Sequence, residues 1–186
     1  MSILLLSGHP DLKQSVANAE IIRLLQAEPT LTCRCLDELY PSYGIDVDAE
    51  QQALMSAELV VLQFPLYWST YPALMKLWFD QVFSYGFAFG PAGSKLKDKP
   101  LILSITCGAT AASYGPDGFN FFELDKYLAA AMHPVHAAQM AIVDTVVTFE
   151  MNSTPAEGGD VERVMQLSQQ HAQQLLQTIR QYKNKI

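Results

Sequence analysis

Short apolar runs alternate with longer amphipathic segments along the whole chain. Residues 2–7, SILLLS, form an unbroken apolar run closed by Gly8 and Pro10, the pattern of a strand covered on both faces. Residues 15–28 then set Ala19, Ile22 and Leu25 on one helical face, with Ser15 suited to the N-cap. TLTCRCL (30–36) alternates and predicts a second strand; 46–57 predicts a helix whose two opening acids suit its dipole. ELVVLQFP (58–65) reads as a third buried strand, and 71–83 as a helix with Pro72 in its first turn, where a missing N–H is harmless. A fourth strand is expected at 99–108, a helix at 120–132 and a fifth strand within 136–149. The segment 160–182 carries Val161, Val164, Met165, Ala172, Leu175, Leu176 and Ile179 on one stripe, opposite glutamine and charge.

This alternation predicts an α/β three-layer sandwich: a parallel sheet with helices on both faces. Five strands favour the flavodoxin-like order 2-1-3-4-5. Ligands of such sheets sit at the carboxyl ends of the strands, where the winding reverses. The loops after strands one, three and four are therefore the ones to read.

Composition narrows the picture. The 186 residues are about half apolar and only 17% charged, which predicts one globular domain over residues 1–186. No apolar run reaches the roughly 18 residues of a membrane span, and MSILLLSGHPD does not read as a signal peptide. A cytoplasmic location is expected. Three cysteines, an odd number, suit reduced thiols. Cys33 and Cys35 are expected to alternate to opposite sides of their strand, where they cannot readily share a metal, so no metal site is anticipated. The net charge is −7 without a basic stripe, which argues against nucleic acid.

The first loop, GHPDLKQSVANA, lacks the glycine fingerprints of dinucleotide and P-loop sites. It offers His9, then Ser15, Val16, Ala17 and Asn18 at a helix start, where free amides and a hydroxyl can hold an anion. An ordinary N-cap beside a surface histidine is the alternative. The third loop opens with Pro65, Leu66, Tyr67 and Trp68, whose backbone and rings suit a flat polar ligand. Trp78 and Phe79 are expected in the core. The helix at 71–83 is apolar nearly all round, so a second subunit is expected to cover it in a homodimer. The fourth loop, TCGATAASYGPDG, is small and glycine-rich, with Tyr114 free to point inward; an idle surface turn is the other reading. His133, His136 and His171 read as structural or surface residues. Together the three loops predict a ligand with one anionic end and one large flat end, which flavin mononucleotide satisfies.

GHP with SVANA, QFPLYW followed by PALMKLWFDQVF and GFAFG, and SITCGA with Tyr114 resemble the flavodoxin-like NAD(P)H:quinone oxidoreductases. That family includes the ancillary subunits of glutathione-gated potassium efflux systems. The resemblance covers most of the chain. It implies a flavin phosphate held by His9 and Ser15, Val16, Ala17 and Asn18, and an isoalloxazine held by Pro65, Leu66, Tyr67 and Trp68 together with Thr106, Cys107, Gly108 and Ala109. Trp68 would also wall a nicotinamide or quinone pocket completed by the second subunit. Tyr114 would assist charge movement on the reduced flavin, although Asn120 stands where mammalian quinone reductases have a histidine. Ala109 stands where many members have a second glycine. The C-terminal extension of the larger FAD-binding members is missing, so FMN is the expected cofactor, with FAD as the alternative. The implied activity is two-electron transfer from NAD(P)H to a quinone. The rival reading is a regulatory subunit on the cytoplasmic face of a potassium efflux transporter, at the inner surface of the membrane. A one-electron carrier of flavodoxin type is disfavoured by the lack of a hydroxyl-rich T-x-T-G-x-T loop.

Overall fold

In the computed structural model, which describes residues 1–185, five parallel strands form one sheet in the order β2-β1-β3-β4-β5. They are β1 (Ile3–Ser7), β2 (Leu31–Cys35), β3 (Leu59–Pro65), β4 (Pro100–Thr106) and β5 (Ala141–Thr148). The three strands predicted from unbroken apolar runs occupy the centre, and nearly every residue in them is buried. The edge strands β2 and β5 are half-exposed, which fits the alternation of β2 and the polar residues within β5.

Side-chain alternation divides the core in two. Leu4, Leu6, Val60 and Leu62 face one layer, while Ile3, Leu5, Leu59 and Val61 face the other. The second layer is built by α1 (Ala17–Leu25) and the long α7 (Val161–Lys183). The first holds α2 (Leu36–Leu39), α3 (Val47–Ser56), α4 (Ala73–Val82), α5 (Leu124–Ala131) and α6 (His133–Ala137). Neither α2 nor α6 is apparent in the sequence pattern, because each is a turn or so long and too short for a period to show. The helix expected from 120 starts only at Leu124; Phe121 has φ of 61°, incompatible with a helix.

The covering expected for the helix at 71–83 is supplied by the chain itself. Leu74, Met75, Trp78, Phe79 and Val82 turn inward, and Lys76 and Asp80 form an outward ion pair. Trp78 Nε1 donates to Glu50 at 2.9 Å, and Glu50, fully buried, is also bound by Arg34 at 2.5 Å and the Tyr40 hydroxyl at 2.6 Å. A buried carboxylate needs such partners. This helix therefore does not require a second subunit.

The two edge cysteines also depart from expectation. Residues two apart on a strand return to the same face. Cys33 and Cys35 both pack against the α1–α7 layer, while Arg34 between them reaches Glu50 on the other side. Their Sγ atoms lie 3.5 Å apart. No cluster of three metal-ligating side chains occurs among the described residues.

One irregularity interrupts β5. Leu101 pairs with Ile142 but Ile102 pairs with Asp144, so Val143 is an extra residue in the edge strand. Beyond it the faces are exchanged: Ile142 and Val147 both lie on the α4 side, while Val146 lies against α7.

Candidate functional site

A cleft of about 620 Å³ opens at the carboxyl ends of β1, β3 and β4, where the strand order reverses. His9, Ser15, Val16, Ala17, Asn18, Pro65, Leu66, Tyr67, Thr106, Gly108 and Ala109 line it. Trp68, Cys107 and Tyr114 do not.

At one end Ser15 is extended, and its hydroxyl accepts from the Asn18 amide at 3.0 Å, so it caps α1 as its residue type suggests. The other first-turn amides have no intrahelical partners and carry the positive end of the dipole. His9 stands opposite. Its Nδ1 accepts from the Asp11 amide at 3.0 Å, which leaves the proton of the neutral ring on Nε2. Burial lowers the pKa of His9, against the raising influence of Asp37 and Asp11, so the ring enters neutral pH as an Nε2–H donor. Asp37 accepts from the Leu12 amide at 2.7 Å and pins the loop between His9 and α1.

Asn18 works beneath the cleft. Its Nδ2 donates to Thr106 Oγ1 at 3.1 Å and its Oδ1 accepts from Gln63 Nε2 at 3.3 Å. All three residues are buried, and they tie the first turn of α1 to the ends of β3 and β4. Asn18 thus positions both ends of the cleft with its side chain. Gly8 lets α4 approach the β1 exit: a Cβ there would lie 2.5 Å from Met75 Sδ.

The third loop is a tight hairpin. Tyr67 and Thr70 exchange both backbone hydrogen bonds, at 2.8 and 3.1 Å, around Trp68 and Ser69. Leu66 N–H donates to Thr106 at 2.8 Å. Two of the amides suggested as ligand donors are therefore engaged within the chain. Trp68 and Ser69 have φ of 46° and 66°, which fits a type I′ turn but without glycine or asparagine. Each such residue costs about 1–2 kcal/mol. Trp68 stands 97% exposed at the tip, beyond the cleft rather than in its wall.

The fourth loop contributes Gly108 and Ala109, whose amides have no backbone partner among the described residues. Cys107 points the opposite way. Strand alternation sends Thr106 toward Asn18 and Cys107 into the core beneath α5, where burial raises its thiol pKa to about 11. Tyr114 follows Cys107 rather than the cleft. Its ring lies 5.7 Å from Phe149 and 6.4 Å from Tyr127, and burial raises its pKa.

Sequence reasoning missed the loop after β5. Met151, Asn152, Ser153, Thr154 and Glu157 also line the cleft. The fourth and fifth loops are stitched together by Cys107 N–H to Thr148 at 2.8 Å, Met151 N–H to Cys107 at 2.9 Å and Glu150 N–H to Ala109 at 3.0 Å. The polar run MNST at the exit of the last strand was the available signal.

A family described by its flavodoxin-like fold matches residues 1–179. The chain belongs to that family. Among its flavodoxin-like relatives, the uncharacterized NAD(P)H oxidoreductase YdeQ of Bacillus subtilis is 35% identical over 153 residues, covering 82% of this chain and 78% of the relative. The glutathione-regulated potassium-efflux system ancillary protein KefG of Cronobacter sakazakii is 40% identical, covering 87% of this chain and 90% of its own. The crystal structure of general stress protein 14 from Treponema denticola, in complex with FMN, superposes with a TM-score of 0.83 at 27% identity. That match covers 96% of this chain and 99% of the other.

Proposed function

We propose that this chain is an FMN-dependent NAD(P)H:quinone oxidoreductase. The observation that carries the reading is the cleft at the winding reversal, with a helix-start anion cradle at one end and free loop amides at the other. Its volume suits a cofactor of this size. The residues fit the group: an uncharged His9 donor, the Ser15 cap and the first-turn amides of α1 would hold the phosphate of an otherwise acidic protein. Gly108 and Ala109 amides would meet the polar edge of the ring system, between Pro65, Leu66 and Tyr67 on one side and Met151 on the other.

When bound, the flavin supplies two-electron chemistry between NAD(P)H and quinone. The chain's own work is to orient both partners, exclude water and place amide dipoles where negative charge develops. Asn18, Gln63 and Thr106 fix the separation of the two ends. Tyr114 is half-buried and keeps its proton; it does not line the cleft in this arrangement, which lends no support to the role the resemblance implied for it.

A second copy of the chain would complete the site. Trp68, Phe119, Phe121 and Phe122 are exposed; an apolar groove of about 540 Å³ between α4 and α5 reaches Ser69, Thr70 and Phe122, and a second of about 690 Å³ lies farther along, between the end of α4 and α6. A partner seated there would bring cover to Trp68, whose strained turn otherwise presents an indole to solvent. Three free thiols suit the cytoplasm, and no helix among the described residues is long and apolar enough to cross a membrane. The likeness to KefG favours a second reading, an ancillary subunit at a potassium efflux system, in which turnover is secondary.

The test is spectroscopic. Protein titrated with FMN is expected to retain a yellow chromophore through desalting, to bleach with NADPH or NADH and to recolour with a benzoquinone. A folded protein without affinity for FMN or FAD overturns the proposal, and retention without bleaching favours the ancillary reading.

A further inference from the structure

The mechanism leaves one pair of nucleophiles unused. Cys33 and Cys35 lie on edge strand β2, outside the cleft, with both side chains half-buried and their sulfurs 3.5 Å apart. Cys107, the third thiol, is fully buried on the opposite face of the sheet. We propose that Cys33 and Cys35 form a redox modification site, a dithiol that a small hydroperoxide closes to an intramolecular disulfide.

Three features carry this. Strand residues two apart have Cα atoms about 6.6–6.8 Å from each other, at the upper limit of the span that disulfides bridge, so the end of β2 must lift from its pairing with Ser7 to bring the two Cβ atoms within about 4 Å. β2 ends at Cys35, where the chain turns into α2, so the second cysteine is not held by a continuing ladder. The two sulfurs share one hydrogen bond in which either can donate, so each can hold the other's thiolate, and Cys35, at the open end of the strand, is the one a reagent meets first. Cys35 is the nucleophile and Cys33 the resolving thiol.

The surroundings select the oxidant. Asp37 and Glu38 lie close enough to oppose negative charge on both sulfurs. An uncharged, small reagent therefore reaches the half-buried pair more readily than an anionic disulfide. The Cys35 thiolate attacks one peroxide oxygen, the O–O bond breaks, and the departing hydroxide takes a proton to become water. Cys33 then attacks the resulting sulfenic sulfur; the S–S bond forms, the S–O bond breaks, and the hydroxyl leaves as a second water with the Cys33 proton. The two thiols lose two electrons, and the peroxide gains them. Once Cys35 is oxidised its charge is gone, which removes the main influence holding the proton on Cys33.

Reduced full-length protein treated with hydrogen peroxide and then denatured is expected to fall from three titratable thiols to one. Peptide mapping should find one bridge, Cys33 to Cys35, with the loss of two hydrogens. In Cys33→Ser the reaction should stop at a sulfenic acid on Cys35 that dimedone traps. Three surviving thiols, loss of Cys107 first, or a bridge between two chains would each overturn the site. The wild-type measurement decides this even if a serine variant folds poorly. Glutathione disulfide is expected to react more slowly than hydrogen peroxide, and a faster reaction overturns the choice of oxidant.

Discussion

His171 ties the functional edge of the sheet to its longest helix, and its protonation should loosen that attachment. The ring sits on α7, 1% exposed, with Nε2 2.8 Å from Ser104 Oγ and Nδ1 2.8 Å from Thr148 Oγ1. Those hydroxyls stand just before the fourth and fifth loops of the cleft. Burial pushes the pKa of His171 from 6.5 down to about 4. The native state thus resists a proton that the unfolded chain accepts. Stability from this group is complete above the unfolded pKa and is lost as pH falls from there toward about 4, below which the loss levels off. Between pH 7 and pH 5 the loss amounts to about 2 kcal/mol. Urea unfolding of wild type and His171→Gln at both pH values isolates the effect, because other titrating groups are common to the two proteins. Wild type should lose about 2 kcal/mol more than the variant on going to pH 5. Equal losses would show that the ring is not held neutral, and the reasoning from burial would fail.

Ser15→Asp keeps a capping side chain on α1 but brings a carboxylate to the proposed phosphate. With about 4 kcal/mol of repulsion per unit charge at contact distance, FMN affinity should fall by about a thousandfold while thermal stability holds, as equilibrium dialysis and calorimetry will read. Trp68→Ala should leave FMN affinity within a few-fold and reduce turnover with a benzoquinone, since the side chain lies outside the cleft; a lost flavin would contradict that placement. Gly8→Ala drives a methyl group against Met75 and should destabilise the protein by about 1–3 kcal/mol in denaturant unfolding.

Much of the fold was legible because the central strands announce themselves. Unbroken runs such as SILLLS and LVVLQFP occur where both faces of a strand are covered, and turn signals bound them. The cleft was legible in outline for the same reason: parallel order dictates which loops converge. Its finer content was not. Whether an amide is free depends on partners distant in sequence, so the hairpin that engages Tyr67 and the Thr106 carbonyl that engages Leu66 left no trace in QFPLYW. How much of α4 the chain covers itself was not legible, because Glu50, its buried partner, lies on another helix and reads as surface charge. Met151 to Thr154 join the cleft through backbone bonds to the neighbouring loop, so the polar run MNST marks a loop without showing where it packs.

The extra residue at Val143 has a reach beyond its own position. Were it drawn into the ladder opposite Ile102, every later residue would pair one place further along β4 and the distal half of the strand would turn over, carrying Val146 away from the helix it now meets and Thr148 away from His171. The chain would emerge toward residues 149–154 with its two sides interchanged. A single solvent-facing valine at the start of an outer strand thereby sets the handedness with which one wall of the cleft is presented.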